Sequence, residues 1–216
     1  MSKRAWLSGG ILAPVTYLVV VVLGGLIRPG YSHYSEAISE LVASGAPNKA
    51  LLDPLFVLYN LAGLAFAYGV LRCVRSRPEE KRRFGLIATG FLFLGGLVGL
   101  ATVFVPQDPA GPAVTATGAV HIVLAGSSSI LSMLSMLFFG LWLRATQETA
   151  MARHSFASLI VVFVSGGLAA ASVATGFGAS GLLERITIFS YLQWMFVVAL
   201  WLFRLPEHRV RRRAGV

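Results

Sequence analysis

Cysteine is nearly absent from this 216-residue chain, with Cys73 alone. That excludes an internal disulfide and every zinc motif built on paired cysteines. Charge is scarce too, at 12% of residues, whereas a soluble domain carries about 25%. So few charged groups cannot cover a surface facing water, which excludes a secreted enzyme, a Rossmann-type protein and a disordered tail. Histidine is limited to four residues. Only His121 falls inside a predicted span, so a haem held by two axial histidines lacks its ligands. No nucleophile elbow is present for a serine hydrolase, and no cofactor is expected.

What the chain has is apolar. Hydrophobic residues make up 56% of it, with 14 Phe and 23 Gly, and the mean hydropathy is +0.75. A helix needs about 20 mostly apolar residues to cross the hydrocarbon of a bilayer. Six stretches meet or approach that length: 7–27, 54–71, 84–105, 118–143, 155–174 and 186–203. They predict an all-α fold, one integral-membrane domain over 1–216 forming a six-transmembrane-helix bundle. Lys3 and Arg4 precede the first run as in a signal peptide. No small-x-small cleavage site follows before Arg28, so an uncleaved helix is expected. Pro14 is expected to kink the first span, and Pro54 suits the first turn of the second. The short last span is expected to borrow Leu182, Leu183, Glu184 and Arg185.

Basic residues outnumber acidic ones 18 to 9, for a net charge of +9. In a soluble protein this would raise nucleic acid as a partner. Here the basic residues form short patches between apolar runs, with no aromatic-rich groove for bases, and nucleic acid is not expected. Fifteen of the 18 fall at the two termini and in the second and fourth connections. The positive-inside rule then puts both termini in the cytoplasm, and makes the protein a multi-pass protein of the cell membrane. Arg72 to Arg83, and Arg209 with Arg211–Arg213, read as orientation signals against anionic headgroups. Gly95 with Gly99, and Gly166/Gly167 with Ala170/Ala171, read as helix contacts. No internal repeat supports an inverted-repeat transporter.

Ionisable groups in a membrane protein are expensive and usually functional, and here they gather at the outer helix ends. Residues 32–45 of the first outer loop read as an amphipathic helix capped by Ser32 and ended by Gly45. Tyr34, Ile38, Leu41 and Val42 share one face, with His33, Glu36 and Glu40 opposite. Such a helix would lie flat as a lid, or point Glu36 or Glu40 into a pocket. The second outer loop, rich in proline, carries Asp108 at its bend. In the fourth span, Thr117, His121, Ala125, Ser128, Ser132 and Ser135 make a polar stripe. It is either a helix seam, with serines bonded to carbonyls one turn back, or the lining of a cavity opening outward. Glu184 and Arg185 begin the last span at the same depth, and Arg185 is expected to bond an outer carboxylate. The catalytic candidates are therefore Asp108, His121 and Glu40, with Arg185, Glu184, Ser39 and Ser128 for substrate binding. A single ion at Asp108, His121 and Glu184 is the one metal arrangement left open.

Pro29-Gly-Tyr-Ser32, Ile38-Ser-Glu-Leu41 with Ala46-Pro47, Phe104 with Asp108, Gly118 with His121, and Gly181-Leu-Leu-Glu-Arg185 carry a resemblance. The chain resembles the prokaryotic integral-membrane family known as domain of unknown function 998 over nearly its whole length. The resemblance implies six spans and singles out Ser39, Glu40, Asp108, His121 and Arg185. It implies no reaction. Three readings stand open: a membrane enzyme or lipid-binding protein with an outward-facing site, a scaffold without chemistry, and a small-molecule transporter. Expected partners are membrane lipids, a lipid-like or isoprenoid ligand, and a second copy of the chain. In the working mechanism Arg185 holds an anionic headgroup, His121 oriented by Asp108 moves a proton, and Glu40 closes over the site.

Overall fold

The structure, a computed structural model, describes residues 2–109 and 115–205. Residues 110–114 of the second outer loop and the tail arginines Arg209 and Arg211–Arg213 lie outside the described residues. Among the described residues six helices are long and apolar enough to cross a membrane: Lys3–Ile27, Lys49–Arg75, Arg83–Val103, Ala116–Ala145, Thr149–Thr175 and Ser180–Arg204. The chain is a multi-pass membrane protein. Most of the helices outrun the apolar stretches because polar end residues extend them. Thr115 accepts the Gly118 N–H at the start of the fourth span (3.1 Å), and Gly176 ends the fifth at a positive φ of 70°. The first span is interrupted at Ser8, and residues 9–27 run on through Pro14 as one helix. The second starts at Lys49, so Pro54 sits in its second turn, after a Lys49–Asp53 ion pair (2.7 Å). The last span does begin early enough to include Leu182–Arg185.

Each span packs against its neighbours in sequence, and the sixth closes on the first. At the arginine-rich end the ring is filled by Phe66, Met136, Phe139, Trp142, Trp194 and Met195, with Phe139 edge-on to Trp194 at 5.6 Å. Lipid is as apolar as these side chains, so tight packing and interhelical hydrogen bonds hold such a bundle together. The fifth span shows this along one face. Ser155 accepts from the Trp194 indole (3.0 Å), Ser158 from Gln193 (2.7 Å), Ser165 meets Thr187 (2.8 Å) and Ser172 accepts the Ala179 N–H (3.2 Å). This serine seam, rather than the expected Gly167, Ala170 and Ala171, is the contact; those three are exposed. In the third span, Gly99 does lie against Asn60 and Gly95 against Leu131.

The opposite end is built differently. Its core is Tyr17, Val20, Val21, Ile38, Leu41, Leu52 and Leu192, from the first, second and sixth spans and the loop between the first two. That loop is not the expected amphipathic helix. It is a turn over Ser32–Glu36 followed by a short 3-10 helix, Ile38–Val42. Ile38 and Leu41 are buried, whereas Tyr34 is exposed. The reason is competition for backbone groups. The Arg185, Tyr31 and Arg28 side chains take the Glu36, Ala37 and Glu40 carbonyls that a regular helix would use. The Ser44 N–H goes to the Gln107 backbone carbonyl instead (2.9 Å).

Candidate functional site

Arg185 organises the loop end. It is buried, and its guanidinium donates to four neutral acceptors: the Tyr31 hydroxyl (2.5 Å), His33 Nδ1 (3.2 Å), and the Glu36 (2.9 Å) and Gly181 (2.8 Å) carbonyls. Among the described residues no carboxylate pairs with it, contrary to the sequence expectation. The site can do without one because a guanidinium has five N–H donors in a fixed fork, and four find acceptors here. A second cation mirrors it. Arg28 donates to the Glu40 carbonyl, and both guanidinium carbons lie over the Tyr31 ring, at 5.6 and 5.5 Å. Burial pushes the Tyr31 phenol up to about 12 against the pull of Arg185, so it stays protonated and donates to Ala37 (2.8 Å). His33 is held below its ordinary 6.5, first by burial and then by the Arg185 cation.

Two carboxylates face the same turn of the lid. Glu40 Oε1 accepts the Ala37 N–H (3.0 Å), and Glu184 Oε2 accepts the Ile38 N–H (2.8 Å). Consecutive backbone donors thus bring residues 40 and 184 together from opposite ends of the chain. The other oxygen of Glu40 is buried and without a hydrogen-bond partner. Close approach of the sixth span permits this arrangement. A Cβ on Gly181 would stand 2.8 Å from Glu36 N and nearer still to its carbonyl oxygen.

Asp108 and His121 take other partners. Both Asp108 oxygens accept from Thr115, one from its N–H and one from its hydroxyl (both 2.7 Å). These bonds hold the carboxyl below its usual range. Thr115 is the N-cap of the fourth span, so Asp108 fastens the second loop to that helix start. His121 is buried, and its Nδ1 bonds the Val105 carbonyl (2.6 Å). Ser39 donates to the Gln107 side chain and so ties the lid to the second loop. The structure therefore divides the predicted residues into Glu40 of the lid with Glu184 and Arg185 of the sixth span, and Ser39 of the lid with Asp108 and His121 at the second loop. Among the described residues no three His, Cys, Asp or Glu side chains converge on a metal position, so Asp108, His121 and Glu184 do not form the single-ion site.

Beneath the lid the polar character continues inward. Tyr17 has Glu184 and Tyr59 as electrostatic neighbours, Tyr59 has Tyr191, and Tyr191 faces Ser132. Ser132 and Ser135 donate to carbonyls a turn back (2.8 and 2.7 Å), as in a helix seam, but the buried Ser128 hydroxyl has no partner. On the side facing the fifth span the fourth stands open. The two helices meet where Gly140 abuts the Phe156 ring. Continuing both faces toward the lid, Ile130, Gly126, Val123 and Ile122 are exposed on the fourth span, as are Ile160, Phe163, Gly167 and Ala171 on the fifth. A Cβ added at Gly126 or Gly167 would touch nothing within 4 Å. Toward the lid, both helices thus carry uncovered apolar residues on these faces.

Residues 11–201 match the family described as protein of unknown function, DUF998. The chain belongs to this family. No curated protein and no solved structure matches it. What sequence reasoning missed in this DUF998 chain is the set of acceptors around Arg185 and the role of Gln107. Tyr31 stood in the motif that carries the resemblance. The carbonyls and His33 could be assigned only once the lid was known to fold back over the sixth span.

Proposed function

We propose that this DUF998 protein binds a membrane lipid, with the head under the lid and the chain leaving sideways between the fourth and fifth spans. The observation that supports this reading is exposure: the fourth and fifth spans carry uncovered apolar faces toward the lid end, close to the polar residues beneath it. A lipid-like or isoprenoid molecule matches that combination, because its tail needs no water-filled path. By the charge asymmetry of the loops, the lid end faces away from the cytoplasm. Asp108, His121 and Ser39 serve in this reading as fasteners of the second loop, which leaves the acidic pair and the tyrosines as ligand contacts. A proton-transfer role for Asp108 and His121 would require each to leave its present partner.

A lipid carrying a photoactivatable group near its head, incorporated in proteoliposomes, tests this. Crosslinks concentrated on residues 119–130 of the fourth span and on the inward face of the sixth, reduced by Gly126→Trp, are expected. Crosslinks spread evenly around the outer faces of all six spans would overturn the reading in favour of a scaffold.

A further inference from the structure

We propose that the arginine-rich end of the bundle holds the head of an anionic phospholipid, in the corner between the Lys3–Leu7 helix and the end of the second span. This site is separate from the lid-end reading and lies at the other end of the bundle. Two glycines make the corner. Gly9 abuts the Ala62 carbonyl, and a Cβ on Gly69 would stand 3.0 Å from the Leu7 backbone nitrogen and 3.1 Å from the Trp6 carbonyl carbon. With the two segments this close, their cations crowd together. Lys3, Arg77 and Arg72 are all electrostatic neighbours of Cys73, and Arg4 and Arg75 are exposed on the same two segments. Ion pairs among the described residues are limited to Lys49–Asp53 and Arg77–Glu148. Lys3, Arg4, Arg72 and Arg75 therefore have no carboxylate partner there, and Glu79 and Glu80 of the same connection do not supply one. Like charges held at short range repel, and an anion placed among them removes that cost.

The surface beside the corner says what carries the anion. Leu58, Leu61, Tyr68, Arg72 and Arg75 are all exposed and share one face of the second span at helical spacing. Along this face apolar side chains give way to an aromatic ring and then to two guanidinium groups. From Leu61 to Arg72 a helix rises about 16 Å, close to the ~15 Å depth of one hydrocarbon leaflet. An acyl chain lying on the leucines thus brings its phosphate level with the arginines. Trp6 and Tyr68, edge to face at 4.8 Å, stand at the transition, where aromatic residues meet headgroups. A free phosphate or an acidic peptide would use the cations and leave the apolar face idle. Charge then chooses among lipids. Arginine forks pair with phosphate oxygens, and a phosphatidylglycerol head brings a net negative charge. Choline and ethanolamine heads carry a cation into a corner that has no carboxylate to meet it.

The test uses the full chain in nanodiscs made with phosphatidylglycerol, phosphatidylcholine or phosphatidylethanolamine of identical acyl chains. Lipid retained through delipidation is counted by native mass spectrometry. Each cation near a headgroup is worth about fivefold in affinity, so phosphatidylglycerol should be retained at least about tenfold above the other two. That preference should be lost in Arg72→Gln with Arg75→Gln and in Lys3→Gln with Arg4→Gln. It should persist in Lys81→Gln with Arg83→Gln, which removes the same charge elsewhere along the connection. In the wild type, phosphatidylglycerol with a photoactivatable group near its head should crosslink residues 3–6 and 68–75. These crosslinks are apart from those expected on the fourth and sixth spans, so either reading can fail alone. Equal retention of the three lipids, or no crosslink at residues 3–6 and 68–75, would overturn the proposal whether or not the variants fold. A preference that survives in the folded corner variants, or falls equally in all three, would overturn the assignment to this corner in favour of diffuse attraction by the basic connections.

Discussion

At the scale of single residues, the loop end is held by one guanidinium whose donors match the acceptors around it. Lysine in its place offers three donors on a flexible stem and cannot reach four acceptors set in a planar fork. Arg185→Lys is therefore expected to destabilise the protein by about 2–4 kcal/mol, read as a lower thermal midpoint in detergent, with the arginine-rich end least affected. His33 adds a pH dependence. Its Nδ1 accepts from Arg185, so it must be neutral there, and burial together with the neighbouring cation keeps its pKa below 6.5. The unfolded chain then binds the proton more readily than the folded one. The contribution is complete above pH 6.5 and is lost as pH falls through the lowered value. Thermal midpoints measured between pH 7.5 and 5 should decline for the wild type and decline less for His33→Asn. Equal slopes would remove His33 from the account.

At the scale of elements, the spans were legible and the lid was not. Long apolar runs locate helices because every backbone group in lipid must find a partner within its own segment, and the six predicted spans fall within or close to the observed ones. Helix ends were less legible, since Thr115 and Gly176 set them through local capping rather than hydropathy. The lid escaped because distant groups share in setting its conformation. Arg185 takes the Glu36 carbonyl, and Gln107 takes the Ser39 hydroxyl on its side chain and the Ser44 N–H on its backbone carbonyl. Tyr31 and Arg28 act from within and beside the loop. The partners of the candidate residues were not legible either, because a contact such as that of Glu184 with Ile38 joins positions 146 residues apart. Gln107→Ala is expected to loosen the lid from the second loop. Hydrogen exchange should then quicken at residues 43–45 and 105–109, with the helices of the arginine-rich end unchanged. Unaltered exchange at Ser44 would show that the Gln107 side chain does not hold the contact.

At the scale of the whole molecule, one bundle combines an aromatic-filled end with a polar one, and the loop charges predict which side of the membrane each faces. The arginine-rich end carries Arg72, Arg75, Arg77, Lys81, Arg82 and Arg83 in one connection and Arg144 and Arg153 about the other. The two connections touch through Arg77 and Glu148, 3.9 Å apart. The lid end has three basic residues, and all are engaged: Arg28 and Arg185 hold the lid, and Lys49 pairs with Asp53. Positive charge is retained on the cytoplasmic side during insertion, so the lid is expected outside. Single cysteines test this cleanly because the native Cys73 is buried and can be replaced by alanine. Ser44 and Ser76 are both exposed, one beside the lid and the other in the arginine-rich connection. With an impermeant thiol reagent on intact cells, Ser44→Cys should be labelled and Ser76→Cys labelled only after permeabilisation. The reverse pattern would turn the bundle over, placing the lid end in the cytoplasmic leaflet. The polar and apolar surfaces would then serve a ligand drawn from that side, so the same two cysteines decide which leaflet supplies it.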